Sequence, residues 1–300
     1  MAEPIISFSN VCKSFGSKQV FSNLDLEVRR GETLTIIGGS GTGKSVLLKM
    51  LVGLMSPDSG SIVTFGQELV GLNERQLIPI RRRIAMLFQG AALFDSMTVG
   101  ENIKYPLVEH RWGNAAQMDD RVDEVLEMVG VPGAQDLYPQ ELSGGMRKRI
   151  GLARAIAIKP EVILYDEPTT GLDPINVRRI NGLIISLQER LGVTSIVVTH
   201  DMDSVVTVTD RLALVYEHAI GFIGSPEEAR VAPLRYLREF MAGGRGVLEE
   251  EFEDGADPEA MDLSMVVKEH EEQPHESPEP EGRESTSVVM VRDDSDPTAS

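Results

Sequence analysis

The segment GGSGTGKS, residues 38–45, has the glycine, lysine and serine spacing of a phosphate-binding loop. Gly38, Gly43, Lys44 and Ser45 satisfy the pattern G-x-x-x-x-G-K-[ST], and the strand-like TLTIIG and helix-like SVLLKMLVG flank it as that pattern requires. Glycines let backbone N–H groups turn toward phosphate oxygens, and the helix start adds partial positive charge. We expect Lys44 to reach the β- and γ-phosphates of a nucleotide and the Ser45 hydroxyl to complete a Mg²⁺ shell. The residues assigned to the nucleotide are Gly38, Gly39, Ser40, Gly41, Thr42, Gly43, Lys44, Ser45 and Val46.

Two adjacent carboxylates, Asp166 and Glu167, end the apolar segment VILYDEP. A carboxylate at the carboxyl edge of a strand beside the phosphate loop lies where Mg²⁺ needs its second protein contact, and this role is assigned to Asp166. Glu167 is then expected to point toward the attacking water and to polarise it as general base. A solvated acidic turn is the alternative, which the apolar run before the pair and Pro168 after it disfavour.

A histidine, His200, ends the next strand-like segment in SIVVTHDM. Taken alone, this residue is best interpreted as a cap of the helix that follows. Because it comes after the phosphate loop and the paired carboxylates along the chain, we instead predict a contact with the γ-phosphate. In that role His200 holds Glu167 and the attacking water in line.

The segment LSGGM, residues 142–146, predicts a second anion site. Ser143 is a good N-cap, and Gly144 and Gly145 leave backbone N–H groups uncovered at the start of the helix MRKRIGLARAIAI. Taken alone, the segment is an ordinary helix cap. A chain with one phosphate loop does not need a second loop for the same nucleotide.

Together with the preceding motifs, LSGGM resembles the signature motif of the ATP-binding-cassette ATPases. The resemblance extends over residues 4–245, with the motifs in the family's order. It implies that the helix after Ser143 covers the γ-phosphate of ATP held on the phosphate loop of a partner subunit, so that the ligands are ATP and Mg²⁺ and the partner is a second copy of the chain. Met146 stands where the family more commonly has glutamine, but backbone N–H groups make the anion contact there.

The resemblance assigns three more residues. Phe15, in VCKSFG, matches the aromatic residue on which the adenine stacks, with a core aromatic at a strand edge as the alternative. Gln89, in AMLFQGAALF, matches the glutamine that contacts Mg²⁺ and the attacking water and that starts the loop facing the transport partner. Asp173, in TTGLDP, matches the loop that crosses the dimer interface.

Strand-like and helix-like segments alternate around these motifs, which is typical of an α/β protein with a largely parallel sheet. The chain is therefore predicted to have the core sheet of a phosphate-loop NTPase. Two successive helical segments without a strand between them predict a helical subdomain inserted at about residues 96–158. The predicted strands are TLTIIG, RIAMLF, EVILYD, TSIVVT and RLALVY.

The net charge of −18 is concentrated at the carboxyl end. Residues 246–300 hold 18 acidic and 3 basic residues, which leaves 29 acidic and 26 basic residues before them. The tail is also rich in Glu, Pro and Ser, which predicts disorder. The nearly neutral part before it, a single ATP-binding domain over residues 4–245, has no basic face, which argues against nucleic acid as a partner.

No apolar run approaches the roughly 20 residues that a membrane helix needs, and the amino terminus lacks a secretory pattern. We expect a peripheral protein on the cytoplasmic face of the inner membrane. The stretch FQGAALFDSMTVGENIKYPLVEH resembles the Mla/Mce branch, whose ATPases drive lipid movement across the bacterial envelope. This resemblance implies a permease and a periplasmic Mce-domain lipid-binding protein as partners. It also implies a carboxyl-terminal extension that reaches the other ATPase subunit and that begins at LRYLREFMAGGRG, residues 234–246.

Two other classes of function share parts of this pattern. An ATPase of an amino-acid or metal transporter would share every catalytic residue, and only the stretch after Gln89 separates it from the lipid branch. A chromosome or DNA-repair ATPase of the superfamily would carry a long coiled coil between the phosphate loop and the signature. That interval here is about a hundred residues without sustained heptads, which disfavours the DNA-associated class.

Overall fold

The computed structural model describes residues 4–242. The strands are β1 (Pro4–Phe15), β2 (Lys18–Arg29), β3 (Thr33–Ile37), β4 (Ser59–Thr64), β5 (Gln67–Glu68), β6 (Ile84–Leu87), β7 (Val162–Asp166), β8 (Thr194–Val198), β9 (Arg211–Tyr216) and β10 (Ala219–Gly224). The helices are α1 (Lys44–Leu51), α2 (Glu74–Arg81), α3 (Val99–Glu109), α4 (Ala115–Met128), α5 (Gly144–Ile156), α6 (Pro174–Leu191), α7 (Met202–Val208), α8 (Pro226–Val231) and α9 (Arg235–Met241).

A six-stranded sheet forms the centre of the molecule, in the order β10-β9-β3-β8-β7-β6. Its five strands from β9 to β6 are parallel and correspond to the five predicted segments, which confirms the α/β class. Strands β3 and β8 are buried at every position, as strands covered on both faces must be. Because parallel strands end at one edge, the segments that follow β3, β6, β7 and β8 meet there.

A second, antiparallel sheet has the order β2-β1-β4-β5. The sequence analysis identified none of its strands. Strand β2 alternates buried and exposed residues along its second half, which is the pattern of a strand with one covered face. Phe8 and Leu24 of this sheet share a buried cluster with Leu34 of β3 and Leu48 of α1, so the two sheets enclose a common core.

Helices α3, α4 and α5 follow one another between β6 and β7 with no strand among them. This confirms the inserted helical subdomain of the predicted fold. Ile103, Val125 and Ile150, one from each helix, are fully buried in a second cluster that also contains Tyr165 of β7. The subdomain is therefore packed onto the sheet beside the strand that carries the paired carboxylates.

Helices α8 and α9 complete the described part and pack against β9 and β10 through a third cluster that includes Leu237. The rings of Tyr216 and Tyr236 lie 5.0 Å apart in this cluster. Helix α9 thus contacts its own chain. It belongs to the segment 234–246, which was predicted to begin a carboxyl-terminal extension, and residues 243–246 of that segment lie outside the described residues. The acidic tail, residues 246–300, lies outside them as well. No helix of residues 4–242 is long and apolar enough to cross a membrane.

Candidate active site

The phosphate loop connects the end of β3 to the start of α1 at the carboxyl edge of the sheet. Gly38 and Gly43 adopt φ values of 151° and 102°. A Cβ atom at Gly43 would lie 2.4 Å from Val20 Cγ1, and one at Gly38 would lie 2.7 Å from the Val215 carbonyl oxygen. Both space and backbone conformation therefore require glycine at these two positions, as a tightly wound loop demands.

The Lys44 side chain folds back over the loop. Its Nζ donates hydrogen bonds to the carbonyl oxygens of Gly38 at 2.7 Å and Gly39 at 2.8 Å. Burial lowers the pKa of the Lys44 ammonium, and the carboxylates of Glu167 and Asp166 partly oppose this effect. The positive charge therefore lies at the mouth of the loop, facing two acidic side chains.

Asp166, at the end of β7, lies beside the first residues of α1. Ser45 Oγ donates to Asp166 Oδ1 at 3.4 Å. Burial raises the pKa of Asp166, the Ser45 hydrogen bond acts in the opposite direction, and the neighbouring Glu167 carboxylate raises it further. Gln89 lines the same cavity. Hydroxyl, carboxylate and amide oxygens are hard donors of the kind that Mg²⁺ prefers, so the donor set fits this ion.

Glu167 is held on several sides. Its backbone has φ 51°, which is uncommon for a residue with a side chain, and its N–H donates to the Val198 carbonyl oxygen at 2.9 Å. Its carboxylate accepts a hydrogen bond from Thr170 Oγ1 at 3.0 Å and lies 2.9 Å from His200 Nδ1. The carboxylate is only 16% exposed, which restricts it to a narrow range of orientations.

His200 is not the cap of the following helix. Asp201 caps α7, because its Oδ1 accepts a hydrogen bond from the N–H of Asp203 at 3.1 Å. The imidazole of His200 instead contacts the Glu167 carboxylate and is 66% exposed in the cavity. The alternative interpretation of His200 as a helix cap is therefore wrong.

Most predicted site residues line one cavity of about 620 Å³. Phe15 lies at its rim with 46% of its surface exposed, which excludes the alternative of a core aromatic. Gly39 and Thr42 do not line the cavity. Thr42 Oγ1 instead donates a hydrogen bond to the Gly39 carbonyl oxygen at 3.0 Å, which stabilises the loop. The lining residues are Phe15, Lys18, Val20, Gly38, Ser40, Gly41, Gly43, Lys44, Ser45, Val46, Gln89, Asp166, Glu167, Val198 and His200.

Ser143, Gly144, Gly145 and Asp173 do not line this cavity. Ser143 caps α5 by accepting a hydrogen bond from the N–H of Met146 at 3.2 Å, and Asp173 caps α6 in the same way. The two caps are joined by Asn176, which hydrogen-bonds Asp173 and lies so close to Gly145 that a Cβ atom there would approach its side chain to 2.6 Å. The chain thus gathers these four residues outside the phosphate-binding cavity, with Ser143 and Gly144 exposed and Gly145 buried.

A larger cavity of about 720 Å³ shares His200 with the first. It is lined by the segment 169–172 and by the facing sides of α6 and α7. Beneath it, Asn181 Nδ2 donates to Ser204 Oγ at 3.0 Å, and Ser204 Oγ donates to Asp201 at 2.6 Å. This buried network fixes α7, and with it the segment that carries His200, against α6. The larger cavity extends from the loop of Asp173 to the phosphate-binding cavity, which it meets at His200.

The loop after Gln89 contains apolar side chains, some of them buried and some exposed to solvent. Ala91 is buried and Phe94 is 43% exposed, so the segment GAALF contributes to both the interior and the surface. The guanidinium of Arg154, on α5, donates to the carbonyl oxygens of Ala91 at 2.9 Å and Ala92 at 2.8 Å. Both alanines have positive φ, so Arg154 stabilises a strained turn. Phe94 and Tyr105 border a groove of about 460 Å³.

Two further residues beside Glu167, Lys148 and Thr170, were not predicted from the sequence. Lys148, on α5, is 6% exposed, and its Nζ donates to the Glu167 carbonyl oxygen at 3.1 Å. Burial lowers the pKa of Lys148, and the carboxylates of Glu167 and Asp166 oppose this effect. The only sequence signal was its helical spacing from Gly145, since a lysine within the basic run MRKR otherwise resembles a solvated one.

Known proteins are similar to this chain in sequence. A family model described as ABC transporter matches residues 21–170. The probable ribonucleotide transport ATP-binding protein mkl of Mycobacterium leprae is 37% identical over 240 residues, covering 80% of this chain and 69% of that protein. The intermembrane phospholipid transport system ATP-binding protein MlaF of Escherichia coli strain K12 is 38% identical over 239 residues, covering 80% and 89%.

Solved structures of related proteins agree with these matches. A dimer of the ATP-binding cassette MJ0796 in a post-hydrolysis state, bound to ADP and Pi, matches with a TM-score of 0.68 and 30% identity. The match covers 73% of this chain and 98% of that one. The phosphate loop, the paired carboxylates and the separate signature segment are thus found in a chain whose fold and sequence both match ATP-binding cassettes, and the chain belongs to the ABC transporter family as one of its ATPase subunits.

Proposed function

We propose that two copies of this ATPase close face to face around two ATP molecules and so drive an inner-membrane permease that moves phospholipid or a related lipid. One observation carries the dimeric site: Lys44 and Glu167 line one cavity, whereas Ser143 and Gly145 lie outside it. A second anion site that its own nucleotide does not need is suited to the nucleotide of a second copy. The solved dimer of a related cassette supports this arrangement.

The predicted site residues in the cavity each have a role in binding or hydrolysis. Backbone N–H groups of the loop and the Lys44 ammonium hold the phosphates, and the exposed face of Phe15 receives the adenine. Ser45, Gln89 and Asp166 would hold Mg²⁺, which when bound neutralises charge that develops on the transferred phosphoryl group. Glu167 accepts the proton of the attacking water at its carboxylate.

His200 and Thr170 restrict the orientation of that carboxylate. Both contact it at hydrogen-bond distance, and the exposed imidazole faces the cavity in which the γ-phosphate would lie. Ser143, Gly144 and Gly145 of the second copy would supply backbone N–H groups from the other side, and Asp173 would cross the interface beside them. Closure then needs ATP, and hydrolysis with product release lets the dimer reopen.

The groove bordered by Phe94 and Tyr105 is the proposed site for a helix of the permease. It is mainly apolar, it is open to solvent, and Arg154 of α5 lines it and donates to the carbonyl oxygen of Ala92, another lining residue. Exposed apolar grooves of this kind mark protein interaction sites. Binding there would hold the protein on the cytoplasmic face of the inner membrane, as a peripheral subunit with no need of a membrane helix of its own.

The cargo proposal has separate support. The name of the Escherichia coli relative states intermembrane phospholipid transport, and that protein is covered over 89% of its length. The Mycobacterium leprae relative, at nearly the same identity, is named for ribonucleotide transport. We favour lipid because the stretch after Gln89 resembles the Mla/Mce branch, and a periplasmic Mce-domain lipid-binding protein is then the third component.

The test is affinity purification of the tagged Glu167→Gln protein from detergent-solubilised inner membranes, with proteins and lipids identified by mass spectrometry. Recovery of a permease together with an Mce-domain protein and phospholipid supports the whole proposal. Recovery of a permease with a solute-binding protein would contradict the lipid cargo and leave the catalytic roles intact. A Phe94→Asp version is the matched control, since a charge in the groove should remove the permease without affecting ATP binding.

A further inference from the structure

Helix α5 connects two parts of the proposed machinery. Its first residues, Gly144 and Gly145, belong to the signature segment, and one turn later Lys148 enters the interior of the same chain. Residues three apart on a helix lie on one face. The Lys148 ammonium donates to the main-chain carbonyl oxygen of Glu167 at 3.1 Å. The helix that would cover the partner's nucleotide is thus bonded directly to the residue that acts on its own nucleotide.

The burial of Lys148 gives this hydrogen bond its importance. Only 6% of the residue is exposed, and a buried ammonium is costly unless it is paired and hydrogen-bonded. The carboxylates of Asp166 and Glu167 supply opposite charge nearby. The side chain therefore has little freedom to leave Glu167 for another partner, and a shift of α5 must displace either the lysine or the carbonyl oxygen that it holds.

The backbone conformation of Glu167 explains why the hydrogen bond from Lys148 would matter. Its φ of 51° lies in the left-handed region, which a residue with a side chain occupies only when its surroundings hold it there. The N–H of Glu167 is fixed by the Val198 carbonyl oxygen, and its own carbonyl oxygen accepts from Lys148 at 3.1 Å and, at the longer distance of 3.4 Å, from the N–H of Thr170. The backbone is thus held at both of its polar groups, and this sets the direction in which the carboxylate points.

We propose that Lys148 is a positioning residue for ATP hydrolysis: it fixes the main chain of Glu167 so that the carboxylate meets the attacking water, and it ties that alignment to the position of the signature helix. This inference rests on the proposed function, because it takes Glu167 as the base and α5 as the helix that meets the partner's nucleotide. Lys148 does not line the phosphate-binding cavity, so its proposed role is exerted through the main chain of Glu167.

The test compares steady-state ATP hydrolysis by full-length Lys148→Met, Lys148→Arg and Arg121→Met proteins. Arg121 is a matched control, because it is another buried cation on the subdomain that donates to main-chain carbonyl oxygens, those of Ile156 and Ala157 at the far end of α5. We expect Lys148→Met to lower kcat about tenfold to a hundredfold, as small misplacements of a catalytic group do. KM for ATP and ATP-dependent dimer formation should stay close to their original values.

Lys148→Arg should recover most of kcat, because a guanidinium also donates to a carbonyl oxygen. Arg121→Met should lower the melting temperature with little change in kcat. Normal kcat in Lys148→Met would overturn the inference, and so would an equal loss in Arg121→Met without recovery by Lys148→Arg, since that pattern reports stability alone. If Glu167→Gln itself hydrolyses ATP normally, the proposed function fails; if Glu167→Gln is inactive and Lys148→Met is active, only this inference fails.

Discussion

The phosphate-loop region and the signature region both have glycines at the start of a helix, yet the residues that surround the two segments differ. The loop at 38–45 opens onto a cavity that also holds carboxylates, a glutamine and a histidine from the ends of three other strands, β7, β6 and β8. The signature segment at 143–145 has a helix N-terminus of the same polarity, but its neighbours in the described part are Asn176 and Leu172 rather than catalytic groups. Both helix N-termini are suited to an anion. In the described part of the chain, the first lies beside the candidate catalytic groups and the second does not.

The difference teaches how a site is divided between subunits. Burial and hydrogen bonds fix the first region, since Lys44, Asp166 and Glu167 are all at least half-buried and bonded to groups of their own chain. Ser143 and Gly144 are exposed at the end of their helix. Substitutions in the two regions should therefore fail in different ways, one losing the nucleotide or its hydrolysis and the other losing the second copy.

Glu167→Gln should cause the largest effect. The amide keeps the shape of the side chain but cannot accept the proton of the attacking water, so turnover should fall about 10²- to 10⁴-fold while ATP binding remains. Steady-state hydrolysis and equilibrium nucleotide binding measure the two effects separately. Glu161→Gln, just before the start of the same strand and paired with Arg83, is the control and should retain turnover. Normal turnover in Glu167→Gln would remove Glu167 as the base.

Lys44→Ala should come next and should act on binding itself. Loss of a charged donor to the phosphates is expected to weaken nucleotide affinity roughly tenfold to a hundredfold. Fluorescent-nucleotide titration of the isolated chain checks this, with the exposed Lys49→Ala on the same helix as control. Unchanged affinity in Lys44→Ala would contradict the phosphate role of the first region.

Gly144→Asp probes the second region without disturbing the fold. A Cβ atom there meets nothing closer than Leu172 at 3.8 Å, and an acidic residue suits the first turn of a helix. Its negative charge should repel the γ-phosphate of the partner's ATP, so the ATP-dependent dimer should weaken about tenfold or more while a single chain binds ATP as before. Light scattering after size exclusion measures the dimer, and Gly182→Asp, in open space on α6, is the control. Loss of single-chain ATP binding would argue against the division of the site.

Removal of residues 246–300 should have the smallest effect. The buried clusters of the described part draw their members from residues 5–241, so the deletion removes no known core residue. The melting temperature should stay unchanged by calorimetry. A clear drop would mean that the acidic tail contributes to the folded domain.

The sequence predicted the parts of the fold whose patterns are local. The five parallel strands are short apolar runs between turn residues, and the phosphate loop is defined by spacing alone. Strand β2 was missed although its second half alternates buried and exposed residues. Strand β1 was missed because its apolar residues are interrupted by bulges, at which the register shifts between Phe8 and Val11 and between Val11 and Lys13. A pattern broken by bulges no longer alternates with period two along the sequence.

The site residues likewise fall into two groups: those that a local sequence pattern identifies and those that only tertiary packing identifies. Lys44 was assigned from the spacing of the phosphate loop, and Asp166 and Glu167 were assigned because they end a strand at the carboxyl edge of a parallel sheet. Lys148 was not, because only tertiary packing distinguishes a buried lysine from its exposed neighbour Arg147. The contact of Tyr236 with the phosphate loop is of the same kind: a Cβ atom at Gly39 would lie 3.1 Å from the Tyr236 hydroxyl, which comes from a helix almost two hundred residues later.

Mixing two impaired variants tests the shared site most directly. A Lys44→Ala chain keeps an intact signature, and a Gly144→Asp chain keeps an intact phosphate loop. A mixed dimer therefore contains one site built wholly from unchanged residues and one site changed on both sides. If the site is shared, an equal mixture should hydrolyse ATP faster than either variant alone, up to about one quarter of the original rate when sites act independently. If the mixture hydrolyses ATP only at the average rate of the two variants, each chain completes its own site, and the two-copy site is contradicted.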